Sequence, residues 1–275
     1  MSSKPSALSP KPSALSPKPF RVTVLGSGTS TGVPAIGCDC AVCRSADPRD
    51  RRLRPSIVIE VDGGPSILVD TSTDLREQAL THRIRRVDAI FFTHSHADHV
   101  MGLDDVRRYN QMQRAPIPCY GDAETLANIR RMFGYVFEPP QQIGGGIPQL
   151  TLVPIDGPFA IAGTSIIPIR VYHGTLPILG FRIGSFAYLT DCNRIPDESY
   201  ARLEGVRTLV IDALRHRPHS THFSVAEAID VAARIGAERT YFTHICHEIS
   251  HAETSGQLPA GVELAYDGLV IEVNA

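Results

Sequence analysis

The stretch Thr93–His99 reads Thr-His-Ser-His-Ala-Asp-His, which places three histidines and one aspartate within six positions. It follows the apolar segment Asp88–Phe92, which predicts a buried strand, and it precedes Val100–Leu103, which leads into a predicted helix. Burying four such polar groups is costly unless something satisfies them. Imidazole and carboxylate suit zinc, manganese or iron, and a site without thiolate can keep open positions for substrate. The stretch therefore predicts a hydrolytic metal site with room for two metals.

Three further candidate ligands each follow a predicted strand, and they are His173, Asp191 and His244. If one sheet edge gathers these strand ends, they converge on the Thr93–His99 loop. One metal would then be held by His94, His96 and His173. A second metal would be held by Asp98, His99 and His244. Asp191 can bridge the two metals, because a carboxylate has two oxygens.

The bulk composition limits the classes of protein that fit. The chain has 275 residues, of which 43% are hydrophobic, which is enough to bury a full core. Its net charge of −2 gives no global basic field for nucleic acid. The arginines Arg49, Arg51, Arg52 and Arg54 form either a local basic patch or a solvated loop. The lack of an apolar run of about 18 residues and of a signal-peptide pattern predicts a cytoplasmic protein with no membrane partner.

The N-terminus carries a literal repeat, Lys-Pro-Ser-Ala-Leu-Ser-Pro, at Lys4–Pro10 and again at Lys11–Pro17. Proline at this density removes backbone donors and blocks helix formation. Residues 1–19 are therefore expected to be a disordered tail, and residues 20–275 to form the folded domain.

Strand and turn signals cover most of the remaining chain. An Asp-Gly turn joins the strands Ser56–Val61 and Ser66–Asp70, which indicates a hairpin. The other predicted strands are Arg21–Leu25, Asp88–Thr93, Leu150–Ile155, Ser165–Tyr172, Leu179–Ile183, Phe186–Thr190, Thr208–Ile211, Thr240–Thr243 and Leu269–Val273. The predicted helices are Asp104–Gln113, Ala123–Phe133, Asp197–Leu203 and Ser224–Ile235. Hairpins mixed with helices favour two mixed sheets with helices outside over a doubly wound parallel sheet.

Two local motifs add detail to this outline. Ser224 stands three positions before Glu227, which is typical of a capping box at a helix start. The small-residue loop Gly26–Gly32 could approach a phosphate closely, although glycine-rich turns are common.

The ordered set of Thr93–His99, His173, Asp191 and His244 resembles the metallo-β-lactamase superfamily, from Phe20 onward. The resemblance implies an α+β (or α/β) fold, a four-layer αββα sandwich of two mixed β-sheets with a binuclear site at one edge. Because Asp98 is present, the resemblance implies two divalent ions, zinc or manganese. The resemblance also matches Asp70, at the end of a predicted strand, to the family's first-motif aspartate, which supports the metal loop from behind the ligands.

Three of the six cysteines lie within six positions, which is too tight a cluster for a secreted disulfide framework. A closed zinc site needs four ligands, and the candidates for the fourth are His247, Cys246 and His251. With Thr243–His247, the cluster resembles the cyclic phosphodiesterases associated with carbon–phosphorus lyase (PhnP type). The resemblance implies a structural zinc, with Cys246 as the competing fourth ligand. The ligands implied are Cys38, Cys40, Cys43 and His247.

Two divalent ions would lower the pKa of a bridging water towards about 7, and the hydroxide would attack the phosphorus of a small cyclic phosphate ester. The leaving alkoxide then needs a proton, which a positioned histidine usually donates. The PhnP-type resemblance places a functional histidine at His222, beside a helix N-terminus that favours an anion. His222 is therefore expected to donate the proton or to contact the phosphate. Asp98 is the second residue expected to be catalytic. Asp212 is a candidate for orienting His222 or for a capping role, and His216 and His219 are weaker candidates.

Three other functions stay open. A tRNA 3′-end processing endoribonuclease shares the fold and metal ligands, but no long Gly/Lys-rich arm is present and the net charge disfavours nucleic acid. A thioester, lactone or β-lactam hydrolase would use the same metals, and the cysteine cluster disfavours it. A non-enzymatic zinc-stabilised binding module would need only four metal ligands, and the seven candidate ligands at the site disfavour it. The segment Gly134–Gln149 matches nothing in the phosphodiesterase group, so the natural substrate can differ, and a homodimer is left open.

Overall fold

The computed structural model describes residues 18–138 and 146–274. The repeat at residues 4–17 and residues 139–145 of the unmatched segment lie outside the described residues. The strands are β1 Phe20–Gly26, β2 Ser56–Val61, β3 Ser66–Val69, β4 Ala89–Phe91, β5 Ile117–Gly121, β6 Leu150–Pro154, β7 Phe159–Ile161, β8 Thr164–His173, β9 Leu176–Ile183, β10 Phe186–Leu189, β11 Thr208–Asp212, β12 Arg239–Thr243, β13 Val262–Leu264 and β14 Val270–Val273. The α-helices are α1 Leu75–Thr81, α2 Ala97–Val100, α3 Arg107–Gln113, α4 Ala123–Met132, α5 Gly134–Phe137, α6 Asp197–Leu203, α7 Val225–Ile235 and α8 His251–Ser255, and 3₁₀ turns span Pro48–Asp50 and Leu103–Val106.

The strands form two mixed sheets of seven strands each. The first sheet has the order β14-β1-β2-β3-β4-β5-β6, antiparallel from β14 to β3 and parallel from β3 to β6. The second has the order β13-β12-β11-β10-β9-β8-β7, parallel from β13 to β10 and antiparallel beyond. The carboxyl ends of the parallel strands in each sheet meet at one edge, which is where the candidate ligands follow.

Alternation along the strands divides the core into three apolar layers. Val22 and Val24 of β1 pack between the two sheets against residues such as Phe181 and Tyr188 of the second sheet. Outward-facing residues of the first sheet pack under helices α1, α3 and α4. Outward-facing residues of the second sheet pack under α6 and α7. These three layers of contact make the αββα sandwich of a metallo-β-lactamase, and the fold prediction is confirmed.

Several elements differ from their predicted bounds. The predicted helix Asp104–Gln113 begins with the 3₁₀ turn Leu103–Val106 and becomes α-helical only from Arg107. The strand predicted over Asp88–Thr93 pairs only at Ala89–Phe91, because the chain beyond it turns towards the candidate ligands. The capping box is present, since Ser224 and Glu227 bond reciprocally at the start of α7. No helix within residues 18–138 and 146–274 combines the length and the apolar character needed to span a membrane.

Candidate metal centre

Five strands deliver the candidate ligands and the supporting residue Asp70 to one edge of the sandwich. Thr93–His99 follows β4 in the first sheet, and Asp70 follows the neighbouring strand β3. In the second sheet, His173 is the last residue of β8, Asp191 lies two residues beyond β10, and His244 follows β12 directly. The predicted convergence of these strand ends is therefore present in the fold.

Four of these side chains form a tight buried group. The nearest ligand atoms of Asp98, His99, Asp191 and His244 all lie within 4.8 Å of one another. His99 Nε2 and His244 Nε2 each lie 3.2 Å from Asp191 Oδ1, and Asp98 Oδ2 lies 3.4 Å from His99 Nε2. This is the set predicted for one metal, together with the carboxylate predicted to bridge.

The other predicted set lies beside it. The ring centroid of His94 is 4.5 Å from that of His96 and 5.8 Å from that of His173, and His96 and His173 are 5.2 Å apart. Asp191 Oδ2 lies 3.9 Å from His94 Nε2, whereas its Oδ1 faces His99 and His244. The two oxygens of Asp191 thus point to different histidine groups, which is the arrangement that a bridging carboxylate needs.

The buried polar atoms that face this space make no hydrogen bond. They are His94 Nε2, Asp98 Oδ2, His99 Nε2 and His244 Nε2. Leaving one such group unpaired in the interior costs about 1–3 kcal/mol, so an unrelieved cluster would be expensive. Imidazole nitrogens and carboxylate oxygens are ligands of divalent cations such as zinc or manganese. The residues therefore fit divalent metal ions.

Supporting hydrogen bonds turn the ligand atoms towards the centre. Asp70 accepts the Nδ1–H of His99 at 2.7 Å, and it also accepts the N–H and the hydroxyl of Thr93. The Thr93 hydroxyl lies 3.0 Å from His94 Nδ1. His173 Nδ1 lies 2.9 Å from the carbonyl oxygen of Thr221. With each Nδ1 engaged outward, the Nε2 atoms of all three histidines are left for the centre.

Three residues at this edge adopt left-handed backbone conformations. The φ angles are 61° at Asp70, 54° at Asp191 and 60° at His244. Non-glycine residues rarely hold such angles, and those that do concentrate at functional sites because the surrounding structure enforces them. Here the sharp turn after each strand brings the side chain back over the sheet edge.

The electrostatics of the centre keep its carboxylates ionised. Burial would raise the pKa of Asp191, but His244 and His99 outweigh it and hold the pKa well below its ordinary value. Burial would lower the pKa of His99, but Asp191 and Asp70 outweigh it and raise the pKa well above its ordinary value. Deprotonated carboxylates are the form that a metal ion binds.

His222 lies at the same centre. Its ring stacks on His244 at 4.7 Å between centroids and meets His173 edge-on at 4.6 Å. Its Nδ1 lies 2.7 Å from Asp212 Oδ2, and Asp212 also accepts the backbone N–H of Cys192. Ligand atoms of His173, Asp191 and His222 fall within 4.8 Å of one another.

The neighbouring histidines differ in placement from His222. His219 lies at 5.2 Å from the His222 ring, and its Nδ1 accepts the N–H of Thr221. His216 is exposed and faces Thr254 with Nε2 at 3.2 Å, at helix α8. Of the three, His222 is the buried one that faces the ligands.

A second group of ligand atoms lies apart from this centre, and we call it the cysteine cluster. It consists of Cys38, Cys40, Cys43 and His247. The three sulfur atoms lie 3.2, 3.6 and 3.5 Å, in chain order, from His247 Nδ1. The N–H of Cys43 donates to Cys40 Sγ and lowers the pKa of that thiol to about 6. Cys246 instead accepts the N–H of Glu248, and among the described residues the fourth position of the cluster belongs to His247.

The proposed basic patch is absent from residues 49–54. Arg52 is fully buried, paired with Asp50 at 2.8 Å, and its guanidinium donates to the carbonyl oxygens of Cys246 and Ile249. Arg54 pairs with Asp74. Arg49 and Arg51 are exposed, as a solvated loop would have them, whereas Arg52 clamps the loop that follows His244.

The glycine-rich loop also has a structural role. The N–H of Gly28 donates to the carbonyl oxygen of Leu53, and that of Thr29 to the carbonyl oxygen of Ile245. A side chain on Gly28 would meet the Arg52 backbone at 2.8 Å. The loop therefore packs backbone against backbone, and these N–H groups are not free for a phosphate.

Some functional contacts were missed by sequence reasoning. Thr93, which bonds Asp70 and neighbours His94 Nδ1, carries no signal beyond its place before the first histidine. Thr190 likewise donates its hydroxyl to Asp191 Oδ1. Both threonines directly precede a candidate ligand at a strand end, and that shared position is the signal that could have found them.

The fold and the site together define a metal-dependent hydrolase of the metallo-β-lactamase class. A family model described as a β-lactamase superfamily domain matches residues 66–245, and the chain belongs to this family.

Similar proteins agree on the fold and differ in their names. A crystal structure of a diphosphatase from the PhnP family is 46% identical, with a TM-score of 0.86, over 93% of this chain and 98% of that chain. The zinc-bound PqqB of Methylobacterium extorquens, at 21% identity and a TM-score of 0.72 over 92% of this chain and 100% of that one, shares the fold. An octanoyltransferase of Porphyromonas gingivalis is 41% identical over 90% of this chain. This chain spans about half of that relative, 51% of its length. The predicted resemblance to the PhnP group within the superfamily is confirmed.

Proposed function

We propose that this chain hydrolyses a phosphorus–oxygen bond in a small phosphate ester, with two divalent metal ions held at the centre. The ions would be held by His94, His96 and His173 on one side, and by Asp98, His99 and His244 on the other. Asp191 would contribute one oxygen to each. When bound, such a pair of ions supplies an activated water and charge stabilisation for the transferred phosphoryl group.

The observation that carries the proposal is the His222–Asp212 pair beside the ligands. Asp212 accepts the Nδ1–H of His222 at 2.7 Å, which fixes the ring and leaves Nε2 directed away from the carboxylate. A protonated imidazole held in this way can donate from Nε2 to a leaving oxygen or to a phosphoryl oxygen. Ester hydrolysis with a poor leaving group needs that donor, because an alkoxide is too basic to leave unprotonated.

The substrate class follows from the same pair and from the relatives. A small cyclic phosphate ester is favoured, since the cysteine cluster supports the resemblance to the phosphodiesterase group. A diphosphate is the second candidate, favoured by 46% identity across 98% of a PhnP-family diphosphatase. Both substrates present the same anionic phosphoryl group to the centre, and they differ in the leaving oxygen.

The rival functions are less well supported. A nuclease needs phosphate-neutralising side chains along its substrate, and three of the four arginines of residues 49–54 that offered such a patch are engaged in ion pairs. The octanoyltransferase name belongs to a protein about twice as long as the stretch it shares with this chain. Thioester or lactone hydrolysis would use the same metals without a need for the His222–Asp212 donor.

The proposal includes a structural zinc in the cysteine cluster. Three thiolates and one imidazole make the closed four-ligand set that structural zinc sites use. The zinc would tie the Cys38–Cys43 loop to His247, three residues beyond the ligand His244. It would thereby limit the movement of a loop that begins at the active centre.

A substrate panel tests the proposal on the purified protein with zinc or manganese. The panel contains bis(p-nitrophenyl) phosphate, cyclic nucleotides, ribosyl cyclic phosphates, diphosphate compounds, pre-tRNA and thioesters. We expect turnover of one of the small phosphate classes and about three bound ions per chain. Turnover confined to pre-tRNA or thioesters, or a single bound ion, would contradict the proposal.

The role of His222 is tested through the leaving group. His222→Ala should lower kcat by about 10²–10⁴-fold on an alkyl phosphodiester, and much less on bis(p-nitrophenyl) phosphate, whose phenolate leaves without protonation. The matched control is His219→Ala, in the neighbouring ring. Equal losses on both substrates would assign His222 to phosphate contact instead of proton donation.

A further inference from the structure

A cavity lies on the outer face of the first sheet, between helices α1 and α3. Its volume is about 330 Å³, at the lower end of the range for small-molecule sites. None of the candidate metal ligands lines it. Its floor is apolar and includes the buried residues Leu75 and Tyr109. This cavity is therefore a separate feature from the metal centre.

The rim of the cavity concentrates positive charge. Four arginines line it, and they are Arg76, Arg83, Arg85 and Arg108. One acidic residue, Asp105, lies among them. The chain as a whole has a net charge of −2, so the local excess of positive charge at the rim is opposite in sign to the net charge of the chain.

The arginines of the rim also lack the ion-pair partners that some neighbouring arginines have. Nearby arginines are paired, such as Arg86 with Asp88 and Arg107 with Asp104. Among the described residues no ion pair engages Arg76, Arg83 or Arg85. Guanidinium groups left without a carboxylate beside a cavity are suited to bind an anion, because their fork of N–H donors matches phosphate.

Large apolar side chains stand exposed on the same rim. Leu80 is 62% exposed and Met112 is 43% exposed, and both line the cavity. A ligand with an apolar body would cover these side chains while its anionic group met the arginines. The two features together, an apolar floor and a cationic rim, select for an amphiphilic anion over inorganic phosphate alone.

We propose that the cavity between α1 and α3 binds a small phosphomonoester that carries an apolar substituent. A dianionic phosphate matches the excess of guanidinium groups better than a single carboxylate does, since four positive charges face one negative charge. The apolar substituent lies on Leu80, Ile84 and Met112, and the phosphate lies at the rim. This site is independent of the metals and of the reaction proposed for them.

The backbone provides a matched pair of variants. Arg83 follows the end of α1, and Arg114 follows the end of α3, each with φ of 53° in the left-handed region. Glycine adopts this conformation without steric cost, so Arg83→Gly and Arg114→Gly both retain the fold. Arg83 lines the cavity and Arg114 does not. Comparison of the two variants therefore distinguishes the effect of losing a positive charge at the cavity from the general effect of losing an arginine at a helix end.

Phenylphosphonate is the probe, because its carbon–phosphorus bond resists hydrolysis at the metal centre. Of the three methionines in the described part of the chain, only Met112 lines the cavity, so methyl-labelled methionine gives a local NMR signal. We expect a saturable shift of the Met112 resonance, an affinity about tenfold weaker in Arg83→Gly, and an unchanged affinity in Arg114→Gly.

Three results would overturn the proposal. One is a Met112 resonance that does not move while the signals of Met101 or Met132 do. A second is an equal effect of the two glycine variants. The third is binding of phenylacetate as tight as that of phenylphosphonate, which would assign the rim to carboxylates. Thermal melts of both variants check that each remains folded.

Discussion

The metal centre and the cysteine cluster both gather metal-binding side chains, but the chain builds them in opposite ways. The metal centre draws its ligands from four strand ends in two sheets, and several of its histidines are oriented by a partner behind them, such as His99 by Asp70. The cysteine cluster takes three of its members from one short loop, with one histidine added from a distant loop. One group depends on the whole sandwich, and the other depends on local spacing.

The difference in exposure follows from the difference in construction. His99 and His244 are almost completely buried in the sheet edge, while His96 remains exposed at its mouth. A centre of this kind holds its ligands rigidly and admits a substrate from one side. Cys38, Cys40 and His247 are only half-buried and lie on loops, where a bound ion would supply the order that packing does not. The difference fits the proposed catalytic role of the first group and the proposed stabilising role of the second.

The largest expected effect comes from removing a ligand of the metal centre. His94→Ala should reduce hydrolysis of bis(p-nitrophenyl) phosphate to the level of buffer, a loss greater than the roughly 100-fold that follows from removing the partner of a ligand. Circular dichroism should remain unchanged, because the sandwich core does not depend on His94. The control is His216→Ala, an exposed histidine away from the ligands. Full activity in His94→Ala would remove the centre from the reaction.

Removing a supporting partner should have a smaller effect. Asp70→Asn replaces one of the two acceptor oxygens with an NH2 group that only donates, so the Nδ1–H of His99 and the two donors of Thr93 can no longer all be accepted. We expect metal affinity or activity to fall by about 10–100-fold, with partial recovery at high metal concentration. Asp62→Asn, in the exposed hairpin turn, serves as the control. An effect that added metal cannot relieve would mean that Asp70 acts in folding alone.

The two regions also differ in how far the sequence alone predicted them. The residues of the metal centre are recognisable because they lie at or just after the end of a strand. The ends of neighbouring parallel strands meet at one edge of the sheet. The cysteines are recognisable by spacing. The choice of His247 over Cys246 required the structure, because adjacent residues on one loop point in different directions and no sequence pattern reports which one.

The features that the sequence did not predict share a physical cause. Arginine is rarely buried, so the clamp by Arg52 could not be foreseen from a run of arginines. Strand β13 spans only Val262–Leu264, and β5 contains Pro118, so neither shows a run of strand-forming residues. Their positions are set by pairing with neighbours distant in the chain, and a local pattern carries no record of such pairing.

The smallest effect on catalysis, and the sharpest test of the comparison, comes from two neighbouring cysteine sites. Cys40→Ser should remove the structural zinc and lower the Tm by about 5–10 °C, the shift expected when a bound ligand's stabilisation is lost. Its kcat should fall only a few-fold, because the ligands at the sheet edge stay in place. Cys246→Ser is the matched control, since its sulfur accepts only the N–H of Glu248 and lies outside the cluster.

Metal analysis and thermal melts of the two variants decide between the assignments. Zinc lost from Cys40→Ser and retained by Cys246→Ser would assign the fourth ligand to His247, and zinc lost from both variants would assign it to Cys246. If Cys40→Ser keeps its zinc and its melting curve, the cluster has no stabilising role. If Cys40→Ser loses activity as completely as His94→Ala, the cysteine cluster does not act in stabilisation alone. The loss of the zinc would then reach the metal centre through Arg52 and the His244–His247 loop.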